Sequence, residues 1–301
     1  MRVTNNTVIN RAVRNINTAH SRYVQKHEQV GSGKAINRLS DDPHNAAKAV
    51  RLRSTLRSIE QYRRNADTAQ TSVNMYDDNL DKVGNILNRI RELTGRAATS
   101  SVTPAEREAI AVEVRELFDE IVQSANATHL GTYMYAGHKG TVTPPFAVNG
   151  DPPTGVVFKG DSGKTPVEVG PGLTVAVNVT GDEVFQKAGG VDIFDAVLKV
   201  NEHLMSSDVD ALSGSDLALI DSSIDQVLKV RSEMGGRANR IELILNRLDT
   251  DEISMKGLLS KTEDVDMVQA IMDLSVQEVV YNAALAAAAK SVQAGLLDYL
   301  R

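Results

Sequence analysis

Residues 51–90, RLRSTLRSIEQYRRNADTAQTSVNMYDDNLDKVGNILNRI, carry a series at alternating steps of three and four: Leu52, Thr55, Ile59, Tyr62, Ala66, Ala69, Val73, Tyr76, Leu80, Val83, Leu87 and Ile90. Thr55 is its one clearly polar member. A mean step of 3.5 keeps a stripe facing one partner only if the helices supercoil slightly, so the stretch reads as a coiled-coil-like seam. A second series obeys the same rule: Leu217, Ile220, Ile224, Val227, Arg231, Met234, Ala238, Ile241, Leu245 and Leu248, with Arg231 the exception. Two long helices are therefore expected side by side.

Capping chemistry sets the starts. Asp42 precedes Pro43 as an N-cap acceptor before a proline at N1, and Thr103-Pro104-Ala105-Glu106 has the form of a capping box, so helices should begin near 43 and 104. Six of the eight prolines lie between Pro144 and Pro171, and twelve of the 21 glycines between Gly131 and Gly190. Within that region Leu173, Val175, Val177 and Val179 alternate with smaller or polar residues at the period of a half-buried strand.

The expected architecture is mainly α: an elongated antiparallel helical bundle or coiled coil made by N- and C-terminal arms, with a small β-rich domain inserted at 131–190. The arms of the rod are 36–130 and 191–264. Register breaks near 31–43 and 262–266 set off two terminal helices, 1–35 and 265–301. Their series are Ile9, Val13, Ile16, His20, Tyr23, His27 and Val30 on one side, and Met267, Ile271, Leu274, Glu278, Tyr281, Leu285, Ala288, Val292, Gly295 and Tyr299 on the other. The second helix also carries Leu296 and Leu297. A lone helix pair can bury only one side of such a surface, so further apolar partners are expected, and the ends should gain order on assembly.

The 301 residues contain no cysteine and no tryptophan, and 4% are aromatic. Disulfides, thiolate metal sites and thiol nucleophiles are excluded, and thin layers of aliphatic helix packing are expected rather than a ring-rich core. Residues 1–65 hold 13 Lys/Arg against 4 Asp/Glu, whereas 66–214 hold 11 against 21. The basic block raises the alternative of a cytosolic coiled-coil regulator that binds nucleic acid. Its arginines are interleaved with the apolar series, which favours a solvated or internally paired helix face. Residues 1–20 have no apolar signal core, and no run reaches the roughly 18 apolar residues of a membrane span, so no membrane insertion is expected.

Chemical motifs are sparse. Ser32-Gly33-Lys34 suggests a P-loop, but Glu28 and Ala35 stand where glycine and Ser/Thr are needed. The six histidines show no metal-ligand spacing, and Gly-x-Ser-x-Gly is absent. Asp41-Asp42 could be an acid-base pair, yet Asp42 is placed to cap a helix and no nucleophile lies close in sequence. The reading is of no enzyme and no cofactor.

The turn Gly31-Ser32-Gly33-Lys34-Ala35-Ile36-Asn37-Arg38-Leu39-Ser40-Asp41-Asp42-Pro43 resembles the N-terminal turn of bacterial flagellin-like axial proteins, "SGKRINRPSDDP", with Leu39 at the usual proline. Gly235 to Glu242 resembles that family's "GARxNRLE", and Gln293 to Arg301 its terminal "Q...LLDYL". Tyr133 to Gly137, Pro144 to Phe146 and Val179 to Phe185 look like the middle of its hook–filament junction members. The resemblance singles out Ser32, Gly33, Ile36, Asn37, Asp41, Asp42 and Pro43 as the family turn, and the terminal helices as the inner, subunit-packing elements. It implies a structural protein of the extracellular flagellum, exported without cleavage and joining a hook-side junction protein to flagellin. The partners it implies are those two proteins, copies of the chain in a ring and an export chaperone, with no nucleic acid. The alternative within the family is a short flagellin.

Overall fold

The structure, a computed structural model, describes residues 5–140, 143–187 and 189–299. It is mainly α. In chain order come α1 (Asn5–Ser32), α2 (Pro43–Ala97), α3 (Pro104–Ala125), β1 (Thr128–His129), β2 (Thr132–Tyr133), β3 (Phe146–Asn149), β4 (Gly155–Phe158), β5 (Pro166–Gly170) and β6 (Leu173–Ala176). There follow α4 (Gly181–Val184), α5 (Ile193–Ser206), α6 (Val209–Ala211), a π-helical turn at Leu212–Asp216, α7 (Leu217–Glu263) and α8 (Met267–Tyr299). The chain divides into two compact units: Met1–Ile59 with Thr250–Arg301, and Glu60–Asp249.

In the unit of residues 60–249, α2 and α7 run antiparallel. Arg63 faces Asp249 at 3.7 Å, Arg231 bonds Asp77 and Asp81 at 3.1 and 2.6 Å, and Arg91 pairs with Asp221. Val227 and Leu217 lie 4.0 and 3.9 Å from where side chains on Gly84 and Gly95 would begin. Each advance along α2 is met by an equal retreat along α7. The expected stripe from Ala66 to Ile90 is buried, as are Ile220, Val227, Met234 and Ile241 opposite it. Arg231 interrupts the apolar series because its guanidinium reaches across to two carboxylates of α2, which raise its pKa.

Helix α3 begins where the sequence places it. Glu106 N–H donates to Thr103 Oγ1 at 3.3 Å, while Thr103 N–H donates to the Glu106 carboxylate at 2.8 Å. Buried Arg107 closes the preceding connection by donating to the carbonyls of Ala97 and Thr99.

The core departs from thin aliphatic layers. All five phenylalanines of the chain, Phe118, Phe146, Phe158, Phe185 and Phe194, join Tyr135 and Tyr76 in one network of ring contacts with centroids 5.1 to 6.2 Å apart. Rings are few but concentrated, and each well-oriented pair adds roughly 0.5–1.5 kcal/mol beyond burial. Burial raises Tyr76 to a pKa of about 12 and lifts Tyr135 well above its ordinary value.

Three antiparallel hairpins, β1–β2, β3–β4 and β5–β6, supply the β structure of this unit. The alternation through Val179 predicts a longer last strand than is formed. Asn178 turns inward, donating to the Gly163 carbonyl at 2.8 Å and accepting from Thr165 N–H at 2.7 Å, and Arg237 donates to the carbonyls of Ala176 and Asn178. These bonds satisfy the backbone without a further ladder. Between β1 and β2, Leu130 and Gly131 both have positive φ, +50° and +79°, and Leu130 is 90% exposed.

Candidate functional site

The terminal unit contains α1, α8, the start of α2 and the end of α7. Helices α1 and α8 pack antiparallel: Tyr23 stacks on Tyr281 with centroids 6.0 Å apart, His20 meets Tyr281 at 5.4 Å, and Lys26 Nζ bonds Asp273 Oδ2 at 2.9 Å. The Lys26 and Gln269 bonds hold the Asp273 carboxyl below its usual pKa. On α1, Ile9, Ile16, Tyr23 and Val30 are half-buried, whereas Val13, His20 and His27 are exposed. On α8 the inner line is Ala270, Leu274, Gln277, Tyr281, Ala284 and Ala288. Small residues there let the helices approach closely.

The rest of the α8 circumference is largely apolar and exposed. Val268, Ile271, Met272, Val276, Val279, Val280 and Leu285 are each between 40% and 70% exposed. Thus the structure brings Tyr23 and Tyr281 together and leaves Ile271 and Leu285 facing outward. Scattered apolar residues are ordinary on a surface; seven on one helix, spread from its flanks round to the side away from the inner line, mark an interaction surface. Val292, Leu296, Leu297 and Tyr299 fall within the span of α8, but their side chains lie outside the described residues.

The turn joining α1 to α2 is built from its own polar side chains. Ser32 Oγ accepts from Lys34 N–H at 3.2 Å, and Gly33 has φ +70°, which a side chain would strain. Asp41 accepts from the N–H groups of Asn37 and Arg38 at 3.2 and 2.9 Å. Asp42 accepts from the N–H groups of His44 and Asn45 and from the Asn45 amide at 2.7 Å, which lowers its pKa and caps α2 ahead of Pro43. Half-buried Ile36 helps line a cavity of about 300 Å³ with Asn37, Leu39, Ala46, Ala49 and Glu263.

This turn is locked to the break between α7 and α8. Ala35 N–H donates to the Glu263 carbonyl at 2.7 Å and Val265 N–H to the Gly33 carbonyl at 3.0 Å. The Glu263 side chain, 4% exposed, takes Lys34 Nζ at 2.5 Å and the Arg53 guanidinium. Burial pushes its carboxyl pKa up, but the bonds from Lys34 and Arg53 outweigh that and hold it below the ordinary value. Sequence reasoning missed this clamp. The break at 262–266 was the available signal, but no local pattern links Glu263 to cations more than 200 residues away.

Among the described residues, no group of three His, Asp or Glu side chains is placed to hold a metal ion, and no helix is long and apolar enough to cross a membrane. What the geometry offers is adhesion: a stiff helix pair, a locked turn and an apolar face in want of cover. These are the features of a helical structural subunit. The chain belongs to the bacterial flagellin family, with residues 3–139 matching the bacterial flagellin N-terminal helical region and residues 217–300 the bacterial flagellin C-terminal helical region.

Its relatives fall on both sides of a division within flagella. The flagellar filament 31.3 kDa core protein of Treponema maltophilum is 25% identical over 265 residues, covering 88% of this chain and 86% of the relative. Flagellar hook-associated protein 3 of Escherichia coli is 24% identical over 302 residues, covering 92% and 93%. A solved structure described as a flagellar hook-associated protein from Vibrio parahaemolyticus matches with TM-score 0.68 and 25% identity, over 74% of this chain and all of that one.

Proposed function

We propose that this chain is a non-catalytic structural subunit of the extracellular flagellum, placed at the hook–filament junction, where it joins a hook-side junction protein to flagellin. The observation that carries an assembly role is the uncovered apolar face of α8. In assembly that face packs among copies of the chain in a ring and against neighbouring axial proteins, burying side chains worth about 1.5–3 kcal/mol each. Export proceeds without cleavage, with a chaperone shielding the apolar ends before assembly. The junction position is supported by the likeness to the Vibrio hook-associated structure and by the middle segments noted in the sequence.

A second reading, a short filament flagellin, is favoured by the similarity to the Treponema filament core protein. A deletion strain separates the two. Hooks that form while intact flagellin is shed into the medium support the junction reading. Flagellin that remains attached in full-length filaments refutes it, and loss of filaments with no other flagellin shed points to the filament subunit itself.

A further inference from the structure

Two exposed helix faces of this chain are charged in opposite senses, and most of their charges lack ion-pair partners among the described residues. From Pro43 to Ile59, α2 carries four cations and no carboxylate. Arg53 is committed to Glu263, but Lys48, Arg51 and Arg57 are exposed and have no carboxylate partner among the described residues. Arg51 directly follows Val50, which is 52% exposed, and Arg57 lies two turns further along the same side of the helix. On α3 the side opposite the buried Ile110, Val114, Phe118 and Ile121 presents Glu108, Glu116, Asp119 and Glu120 around Val112, itself 60% exposed. None of these four carboxylates has a cation partner among the described residues, although the neighbouring Glu113 and Arg115 are paired with Arg89 and Asp151.

Like charges three and four residues apart on one helix destabilise it, so an unrelieved row is a cost within the monomer. The division also holds for each unit as a whole. Residues 1–59 and 250–301 hold 15 Lys/Arg against 11 Asp/Glu, and residues 60–249 hold 18 against 28. At about 1.5 Å per residue, Lys48 to Arg57 spans roughly 13 Å and Glu108 to Asp119 roughly 16 Å, so the two rows match in length.

We infer that the basic face of α2 docks on the acidic face of α3 of a second copy, with Val50 and Val112 inside the contact. Such a contact is heterologous, joining different surfaces of two identical chains, and it leaves one free face at each end. Repeated around an axis such a contact gives a ring where the rotation between copies closes and an open helical array where it does not. Opposed charge fixes the partner and register, while the two valines supply apolar contact at the centre. The inference rests on the reading that copies of the chain assemble, and it specifies which surfaces meet.

The absence of native cysteine makes the contact directly testable in the full-length protein. Chains carrying Ser54→Cys, on the basic face, and Val112→Cys, on the acidic face, are mixed under mild oxidation at about 20 mM and about 500 mM salt. The mixed disulfide should form at least about tenfold faster than either homodimer at low salt, with the advantage lost at high salt. Adding Arg51→Glu and Arg57→Glu to the first chain should abolish the advantage. Adding Glu116→Lys and Asp119→Lys to the second should restore it, a rescue that a misfolded variant cannot show. Equal rates for all pairings, or no rescue by the double reversal, overturn the inference. These outcomes are independent of where the protein resides: absent crosslinking alongside flagellin shedding in the deletion strain defeats only the docking contact, and the converse defeats only the junction reading.

Discussion

Replacing Glu263 by glutamine removes a buried charge from the lock between the α1–α2 turn and the α7–α8 break while preserving its shape. Charge-assisted hydrogen bonds contribute about 1.5–3 kcal/mol each, and breaking a fully buried ion pair costs about 3–5 kcal/mol. Here the carboxylate is buried, but Lys34 and Arg53 are nearly half exposed and regain water when it is neutralised. Glutamine also keeps an acceptor for one of them. The expected loss is therefore about 2 kcal/mol, which at 1.36 kcal/mol per decade is roughly a 30-fold increase in local opening. The amides of Ala35 and Val265 report that opening, because both bonds cross the lock. Their exchange should be roughly 30-fold faster in Glu263→Gln than in the parent at neutral pH. The native carboxyl has a lowered pKa, so its contribution is fully present above the ordinary value of 4.5 and fades as pH falls through the lowered one. The ratio should accordingly hold from pH 7 to about pH 5 and collapse toward one in stronger acid. A ratio within about twofold at pH 7 would refute the assignment of Glu263 as the lock.

Other outcomes follow from the larger unit. Leu130→Asn, at a position with φ +50° on an exposed turn, should raise stability by about 1 kcal/mol, seen as a higher thermal midpoint; a lowered midpoint would show that leucine is held there by a contact. Phe146→Ala, at the centre of the ring network, should cost about 3–5 kcal/mol in denaturant unfolding of this unit, and a loss below about 1 kcal/mol would remove the network from the core. Tyr76 ionises near pH 12 when folded and about 10 when unfolded, so its contribution is intact below about pH 10 and is lost as pH rises toward 12. Tyr76→Phe should flatten that alkaline fall in stability; an unchanged slope contradicts burial as the cause.

Long-range order was legible where one rule governed many residues. The 3–4 alternation identified the α2–α7 seam from Ala66 onward, and Asp42-Pro43 and Thr103 to Glu106 marked two helix starts because capping is local chemistry. Nearer the start of α2, Leu56 is buried and Thr55 is exposed, so there the seam departs from the strict 3–4 series. The terminal series failed in another way. Strict steps through Val13, His20 and His27 chose exposed positions, because Ala19 and Ala270 form part of the close inner line and alanine carries little weight in an apolar count. The Glu263 lock and the gathering of all five phenylalanines were not legible, since each joins residues that only the folded chain brings together. Asn178 was hidden by a regular alternation: its inward turn depends on carbonyl and N–H groups of another segment.

The central claim is that the outer face of α8 is covered only in the assembled flagellum, and Met272 on that face provides a direct probe. Hydroxyl-radical footprinting of the dilute chain and of purified flagella that contain it should show Met272 readily oxidised in the first and protected at least about tenfold in the second. Equal oxidation of Met272 in the two states would contradict the account.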